Sequence, residues 1–189
     1  MTSLDPFISR DDLSDYLGRD VTEDNGALIA IDAGCDMVRS LTGQDFNRGT
    51  SSITLDGTGG DALVLPQYPV LAAGTVAIMG TAVTDYKLSE DGLLLRTPGT
   101  VTGYWDGCWP YVIWPKGRQN ISVTYEHGYE EALLPRDVRL LALSIAARVV
   151  VQGVAKDESI GQAKITYGVS STDLTSGEQM VVQKYRRTR

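Results

Sequence analysis

Residues 121–167 read ISVTYEHGYEEALLPRDVRLLALSIAARVVVQGVAKDESIGQAKITY. Ile121, Val123 and Tyr125 alternate with polar residues, the period of a half-buried strand, and the alternation stops at His127-Gly128. Pro135 then stands where a helix begins; its missing N–H and fixed φ cost nothing in a first turn. The helix predicted from Pro135 to Gln152 is about 27 Å long at about 1.5 Å per residue, with Gly153 closing it. Asp137, Ser144 and Arg148 form a narrow polar stripe, and Val138, Leu140, Leu141, Leu143, Ile145, Val149 and Val150 occupy most of the rest. Such a helix needs cover on more than one side. Val138, Leu141, Ile145 and Val149 are therefore expected to pack in the core, with a neighbouring subunit as the second cover. A Glu158-Ser-Ile-Gly step and one short alternating strand end the stretch.

Upstream, residues 1–46 read as two helices. Ser9 with Asp12 three residues on is a capping-box pair, and Ile8 and Leu13 fit the hydrophobic staple around it. Gly18 ends this helix. The next starts near Thr22 or Asp24 and ends at Gly43, a C′ glycine. Leu28, Ile31, Cys35 and Val38 make its apolar stripe, Asp32, Asp36 and Arg39 fall on the other side, and Ala30, Ala33 and Gly34 permit close approach of another helix.

Between Ser51 and Tyr125 the period changes to two. Short apolar runs (53–55, 62–65, 75–79, 83–88, 92–96, 111–114 and 120–125) are separated by glycine, and Gly80-Thr81 and Asp91-Gly92 are hairpin signals. Trp105, Trp109 and Trp114 all fall in the last third of this region and are expected in its core. Beyond the long helix, the polar run GVSSTDLTSG leads to a short helix, about Gly177–Tyr185, opened by a Ser176/Gln179 capping box. With few apolar residues behind a polar loop, this tip should be separable from the fold.

The expected fold class is α+β. A small helical core comprises two N-terminal helices, one long central helix and a short C-terminal helix, with an antiparallel β-sheet or small barrel inserted. The expected divisions are residues 1–48 (N-terminal helices), 49–127 (β insert), 128–175 (long helix and short strand) and 176–189 (C-terminal helix and basic tip).

A chain of 189 residues with 42% hydrophobic content is large enough for a real core. It has no apolar run long enough to span a bilayer, and its first residues lack the basic and apolar segments of a secretion signal. Cys35 and Cys108 are far apart and form no C-x-x-C, which reads as two free thiols. The net charge of −7 argues against wrapping DNA. The last six residues, KYRRTR, nevertheless carry four cations, so the rest of the chain is more acidic still. An acidic body with a basic tip suits docking on an acidic partner or self-association.

No motif points to catalysis. A lone His127 excludes a multi-histidine metal site; together with Glu126, Glu130 and Glu131 it would make only a weak carboxylate–histidine site, and it reads instead as part of a turn anchored by Tyr129. There is no Gly-x-Ser-x-Gly elbow. Asp56-Gly-Thr-Gly-Gly-Asp61 is followed by a strand-like Leu-Val-Leu-Pro, so it reads as a turn and not a phosphate loop. No enzyme activity, metal or cofactor is expected.

The pieces LDGTGGDALVLPQYPV, VTYEHGY, LPRDVRLLALSIAARVV, ESIGQAKITYG and the terminal KYRRTR, in that order, resemble the head–tail connector (head completion, or adaptor) proteins of tailed bacteriophages. The resemblance implies a virion structural protein in the neck, forming a ring, twelve-fold in the virion, beneath the portal protein. Such a ring extends the DNA channel without sequence-specific DNA binding and presents a surface to the tail or to a further head-completion protein. It implies assembly in the host cytoplasm and no membrane. In that family the C-terminal segment reaches the portal, which carries over to Met180, Tyr185, Arg186, Arg187 and Arg189 here. The rival readings are a tail-side neck protein of the same kind of virus and a β-rich carbohydrate-binding module, the latter requiring Trp105, Trp109 and Trp114 exposed on one face.

Overall fold

The computed structural model describes residues 5–89, 92–97, 113–152, 157–160, 163–166 and 173–186. The fold is α+β, and the chain divides into two compact units, residues 1–44 with 131–188, and residues 45–130.

The helical unit opens with α1 (Arg10–Leu17), capped as its sequence requires. Ser9 Oγ accepts the Asp12 N–H, the Asp12 carboxylate accepts the Ser9 N–H, and Gly18 closes the helix at φ 63. Helix α2 (Asn25–Thr42) starts at an Asp24 N-cap and ends at Gly43, φ 69. Its buried stripe is Ala27, Ala30, Ile31, Gly34, Cys35 and Val38. Two assignments from the hydrophobic pattern change. Leu28 and Ala33 face solvent, the place of Leu28 in the stripe being taken by the smaller Ala27. Arg39 is buried, its guanidinium bonded to the Asp5 carbonyl and to Asp36 and standing 5.2 Å from the Phe7 ring centroid. A long stem lets arginine bury its carbons and deliver its charge to acceptors elsewhere. Cys35 is fully buried, and burial pushes its thiol up, against the backbone N–H groups of Phe7 and Ile8.

Helix α3 (Arg136–Gln152) packs on α2 at Gly34. A Cβ on Gly34 would come within 2.9 Å of the Ala142 carbonyl oxygen and 3.3 Å of the Ala146 Cβ. Pro135 precedes the first helical residue, and its carbonyl accepts the Arg139 N–H. Val138, Leu141 and Ile145 are buried and Val149 is half-buried, but Leu140 and Val151 are 55% and 54% exposed. The helix is thus less enclosed than its composition predicts. Strands β8 (Asp157–Ile160) and β9 (Ala163–Thr166) pair antiparallel. The Glu-Ser-Ile step is therefore itself a strand. Helix α4 (Ser176–Tyr185) ends the described chain.

Among the described residues the β unit holds two antiparallel sheets, where the sequence predicts an antiparallel sheet or small barrel. Its strands are β1 (Gly49–Gly57), β2 (Ala62–Val64), β3 (Val70–Ile78), β4 (Thr81–Ala82), β5 (Tyr86–Leu88), β6 (Leu93–Arg96) and β7 (Gly117–His127). One sheet has the order β1-β7-β3-β4, the other β2-β6-β5. Val76, Ile121, Val123 and Tyr125 from the first and Leu63 and Leu94 from the second share a core with Trp114. Trp114 lies outside any strand. Its indole N–H donates to the Leu94 carbonyl at 3.0 Å and its ring lies 5.1 Å from the Arg96 guanidinium. Trp105, Trp109 and Cys108 lie outside the described residues. The β3–β4 turn is Met79-Gly80, with φ 49 and 84, so Thr81 already belongs to the strand. Both positive values are what a two-residue type I′ hairpin requires.

Gly34→Val is expected to destabilise the helical unit by about 1–3 kcal/mol through overpacking at the α2–α3 seam, read as a lower denaturation midpoint with unchanged m-value. An unchanged midpoint would refute the close approach.

Candidate functional site

The polar stripe of α3 is covered by α4, and the two meet through charged side chains. The helix α4 begins at Thr175, whose Oγ1 accepts the Glu178 N–H while the Glu178 carboxylate accepts the Thr175 N–H. The expected Ser176/Gln179 capping box is displaced by one residue. Both pairs satisfy the local pattern, and the choice falls to Glu178 because that carboxylate also has tertiary partners. Ser144 Oγ lies 2.5 Å from Glu178 Oε1, and Arg148 Nη1 donates to both carboxylate oxygens at 2.9 and 3.1 Å. The Arg148 and Glu178 side chains are only 14% and 13% exposed. Burial tends to raise the Glu178 pKa, but the hydrogen bonds from Ser144, the Thr175 N–H and Arg148, with the arginine's charge, outweigh it and hold the carboxyl below its ordinary value.

Two turns along α4, a second cluster forms. Lys184 Nζ donates to Asp137 Oδ2 at 2.7 Å and the Tyr185 hydroxyl donates to Asp137 Oδ1 at 2.8 Å. Asp137 is likewise held below its usual range, burial being overcome by the bonds from Lys184 and Tyr185. Burial and the Asp137 hydrogen bond push the Tyr185 hydroxyl up. Val182, between the clusters, is buried. All three residues of the stripe read from sequence, Asp137, Ser144 and Arg148, thus meet α4. Their partners Glu178 and Lys184 were missed. A signal existed in the charge order, acid then base along both α3 (Asp137, Arg148) and α4 (Glu178, Lys184), which is complementary when the two run antiparallel, but helix pairing between distant segments is not visible in local periodicity. The expected separability of the tip has a cost: cutting before Glu178 would leave Arg148 buried without its counter-charge.

Of the residues singled out for partner contact, Met180 is 69% exposed and Arg186 is exposed, whereas Tyr185 is half-buried against Asp137. Arg187 and Arg189 lie outside the described residues.

The other candidate sites offer little chemistry. His127 is buried and its Nε2 lies 2.8 Å from Ser51 Oγ. Among the described residues no group of three or more His, Cys, Asp or Glu could hold a metal ion. In the glycine-rich loop the amides are already used. The Gly57 N–H donates to Asn120 Oδ1, that of Gly59 to the Trp114 carbonyl and that of Gly60 to Thr58 Oγ1. The loop joins two strands, and no helix N-terminus stands there.

Comparison of the whole fold with solved structures gives full-length matches. A chain from the neck of a native GTA (gene transfer agent) particle, computed with C12 symmetry, superposes with a TM-score of 0.59 at 16% identity, covering 98% of this chain and 96% of that one. A chain from the neck of the empty particle, computed with C6 symmetry, gives 0.62 at 17% identity, with 96% and 90% covered. The chain shares its fold with these chains. A chain of the native GTA virion agrees, with a TM-score of 0.61 at 16% identity over 100% of this chain and 94% of that one. Scanning against protein-family models gives no match, and no curated protein matches in sequence. At least 96% of this chain is matched in each of the three.

Arg148→Met is expected to free α4, at a cost of about 2–4 kcal/mol, because Glu178 would keep a largely buried charge without its partner. Amide exchange along residues 178–185 reads this directly; unchanged protection would show that the ion pair does not anchor the helix. Since the folded Glu178 pKa is depressed, its contribution is present above the ordinary value of 4.5 and is lost as pH falls through the lower folded value. Protection of α4 should fall in that window for the wild type and not for Glu178→Gln.

Proposed function

We propose that this chain is a virion structural protein of the neck, a subunit of a ring that docks beneath the portal and connects capsid to tail. The observation that carries the reading is the superposition over nearly the whole of both chains on neck subunits of particles computed with C12 and C6 symmetry. The ring is twelve-fold in the virion and extends the DNA channel. DNA passes without sequence-specific contact, past a chain whose net charge of −7 disfavours sticking. The subunit is made in the host cytoplasm, joins the portal on one side and the tail or a further head-completion protein on the other, and performs no catalysis.

The C-terminal tip is the portal contact in this reading. Met180 supplies an exposed apolar anchor, and Arg186, Arg187 and Arg189 supply charge. Tyr185, tied to Asp137, fixes the end of α4 next to Arg186. The carbohydrate-binding alternative needs Trp105, Trp109 and Trp114 exposed on one face, and Trp114 is fully buried in the β core.

Mixing the purified protein with portal rings of its own particle and imaging by electron microscopy tests the reading. Twelve-fold density capping the portal is the expected result, and portals left bare at saturating protein would overturn it. Removing only residues 186–189 leaves Glu178, Val182 and Tyr185 in place, so the fold should persist while portal affinity falls at least ten-fold. Binding should also weaken as ionic strength rises. Unchanged affinity of the truncated protein would move the contact elsewhere.

A further inference from the structure

His127 is the only histidine of the chain, and it occupies the end of the strand on which the larger sheet is built. Strand β7 pairs with β1 on one side and β3 on the other, and His127 stands opposite both Gly49 and Val70. The imidazole is 3% exposed and lies 5.5 Å from the Tyr125 ring, centroid to centroid. Nε2 is within 2.8 Å of Ser51 Oγ, while Nδ1 is buried and has no hydrogen-bond partner among the described residues.

That asymmetry selects the tautomer. A bare ring lone pair is a smaller loss in an apolar setting than an N–H with no acceptor, so the proton sits on Nε2 and is donated to Ser51. A second proton has only Nδ1 to go to. It would create a buried donor with no acceptor and a charge removed from water. The surroundings have no slack to receive it. Gly128 follows at φ 90, and a Cβ there would fall 2.0 Å from the Asn47 carbonyl oxygen. The Gly128 N–H is fixed to the Pro69 carbonyl and the Tyr129 N–H to that of Phe46.

The charged groups nearby do not compensate. Asp45, in the segment before β1, favours the imidazolium, but burial outweighs it and holds the ring below its ordinary 6.5. Glu126 alternates to the opposite face of β7, where Arg48 bridges it and Glu130. The facing β3 residues, Val70 to Ala73, carry no charge.

We propose that His127 is a mild-acid switch: its protonation releases the end of β7 from β1 and β3 and opens the β unit at a pH where the helical unit stays folded. The two units separate in pH because the helical unit's anchors are carboxylates with depressed values, Asp137 and Glu178, which remain charged well below the range in which a histidine titrates. The sign follows from linkage. A base whose folded pKa is depressed contributes nothing adverse above its unfolded value, and stability is lost as pH falls below about 6.5 toward the folded value.

The single imidazole makes the test direct. Its ring signals in heteronuclear NMR, followed from pH 7.5 to 5.0 on the full chain, report its charge, and amide exchange at residues 123–128 and 178–185 reports the two units. Expected is a ring that stays neutral through pH 6.5. Below that, exchange at residues 123–128, corrected for intrinsic rate, should rise at least ten-fold in step with protonation, while residues 178–185 stay protected. His127→Gln keeps a donor toward Ser51 and cannot ionise, so its β-unit protection should not change over this range. A ring that titrates at 6.5 or above with the sheet still protected would overturn the proposal, as would a Gln variant that opens like the wild type. Should the variant not fold, the wild-type titration alone decides.

Discussion

The approach of α2 and α3 at Gly34 is the contact on which the helical unit depends. With no Cβ at that position the Ala142 carbonyl and the Ala146 methyl come against the α2 backbone, and the rotation of α3 about its own axis is fixed. At about 100° per residue, Ser144 then lies about 200° around the helix from Ala142, with Asp137 and Arg148 close beside it. The polar stripe is thereby turned away from α2. It needs a partner that brings charge and hydrogen bonds as well as one apolar side chain, and α4 supplies these in Glu178, Val182 and Lys184. Glu178 serves twice, as the N3 member of its own helix's capping box and as the counter-charge of Arg148. Helix start and helix docking are therefore one event.

In the β unit the corresponding role falls to β7. It runs from Gly117 to His127 between two partners, contributes Ile121, Val123 and Tyr125 to the core, and is followed by Gly128, which no other residue can replace without meeting Asn47. The smaller sheet adds Leu63 and Leu94 to this core, and Leu65, just after β2, and Trp114 complete it. The exposed side of the sheet is held by cross-strand polar pairs such as Ser52 with Thr124, which contribute modestly to stability and keep that face wet.

Much of this was legible in the sequence because it is local. The Ser9 and Asp24 caps, the glycine stops at 18 and 43 and the period-two strands are each decided by a few neighbouring residues. What periodicity could not give depended on partners far along the chain. Arg39 looked like a surface residue because the Asp5 carbonyl that receives it is 34 positions away. The capping box of α4 was ambiguous between two adjacent pairs until Ser144 and Arg148 chose Glu178. The Glu-Ser-Ile step did not read as a strand because a four-residue strand has too few alternations to show a period. For the partner-contacting tip the charge was evident, but the engagement of Tyr185 by Asp137 was not.

Cys35 gives the helical unit a chemical clock. Its sulfur lies at zero exposure on the buried side of α2, and burial keeps it in the thiol form, whereas only a thiolate reacts quickly with disulfide reagents or alkylators. Modification must wait for the cover over the thiol, which includes the Phe7 and Ile8 backbone, to open. The rate at which a small thiol reagent consumes Cys35 is therefore the intrinsic rate scaled by the fraction of time that cover is open, a native probe of breathing in the helical unit that needs no engineered label. The same shielding protects the residue from oxidation for as long as the cover stays closed.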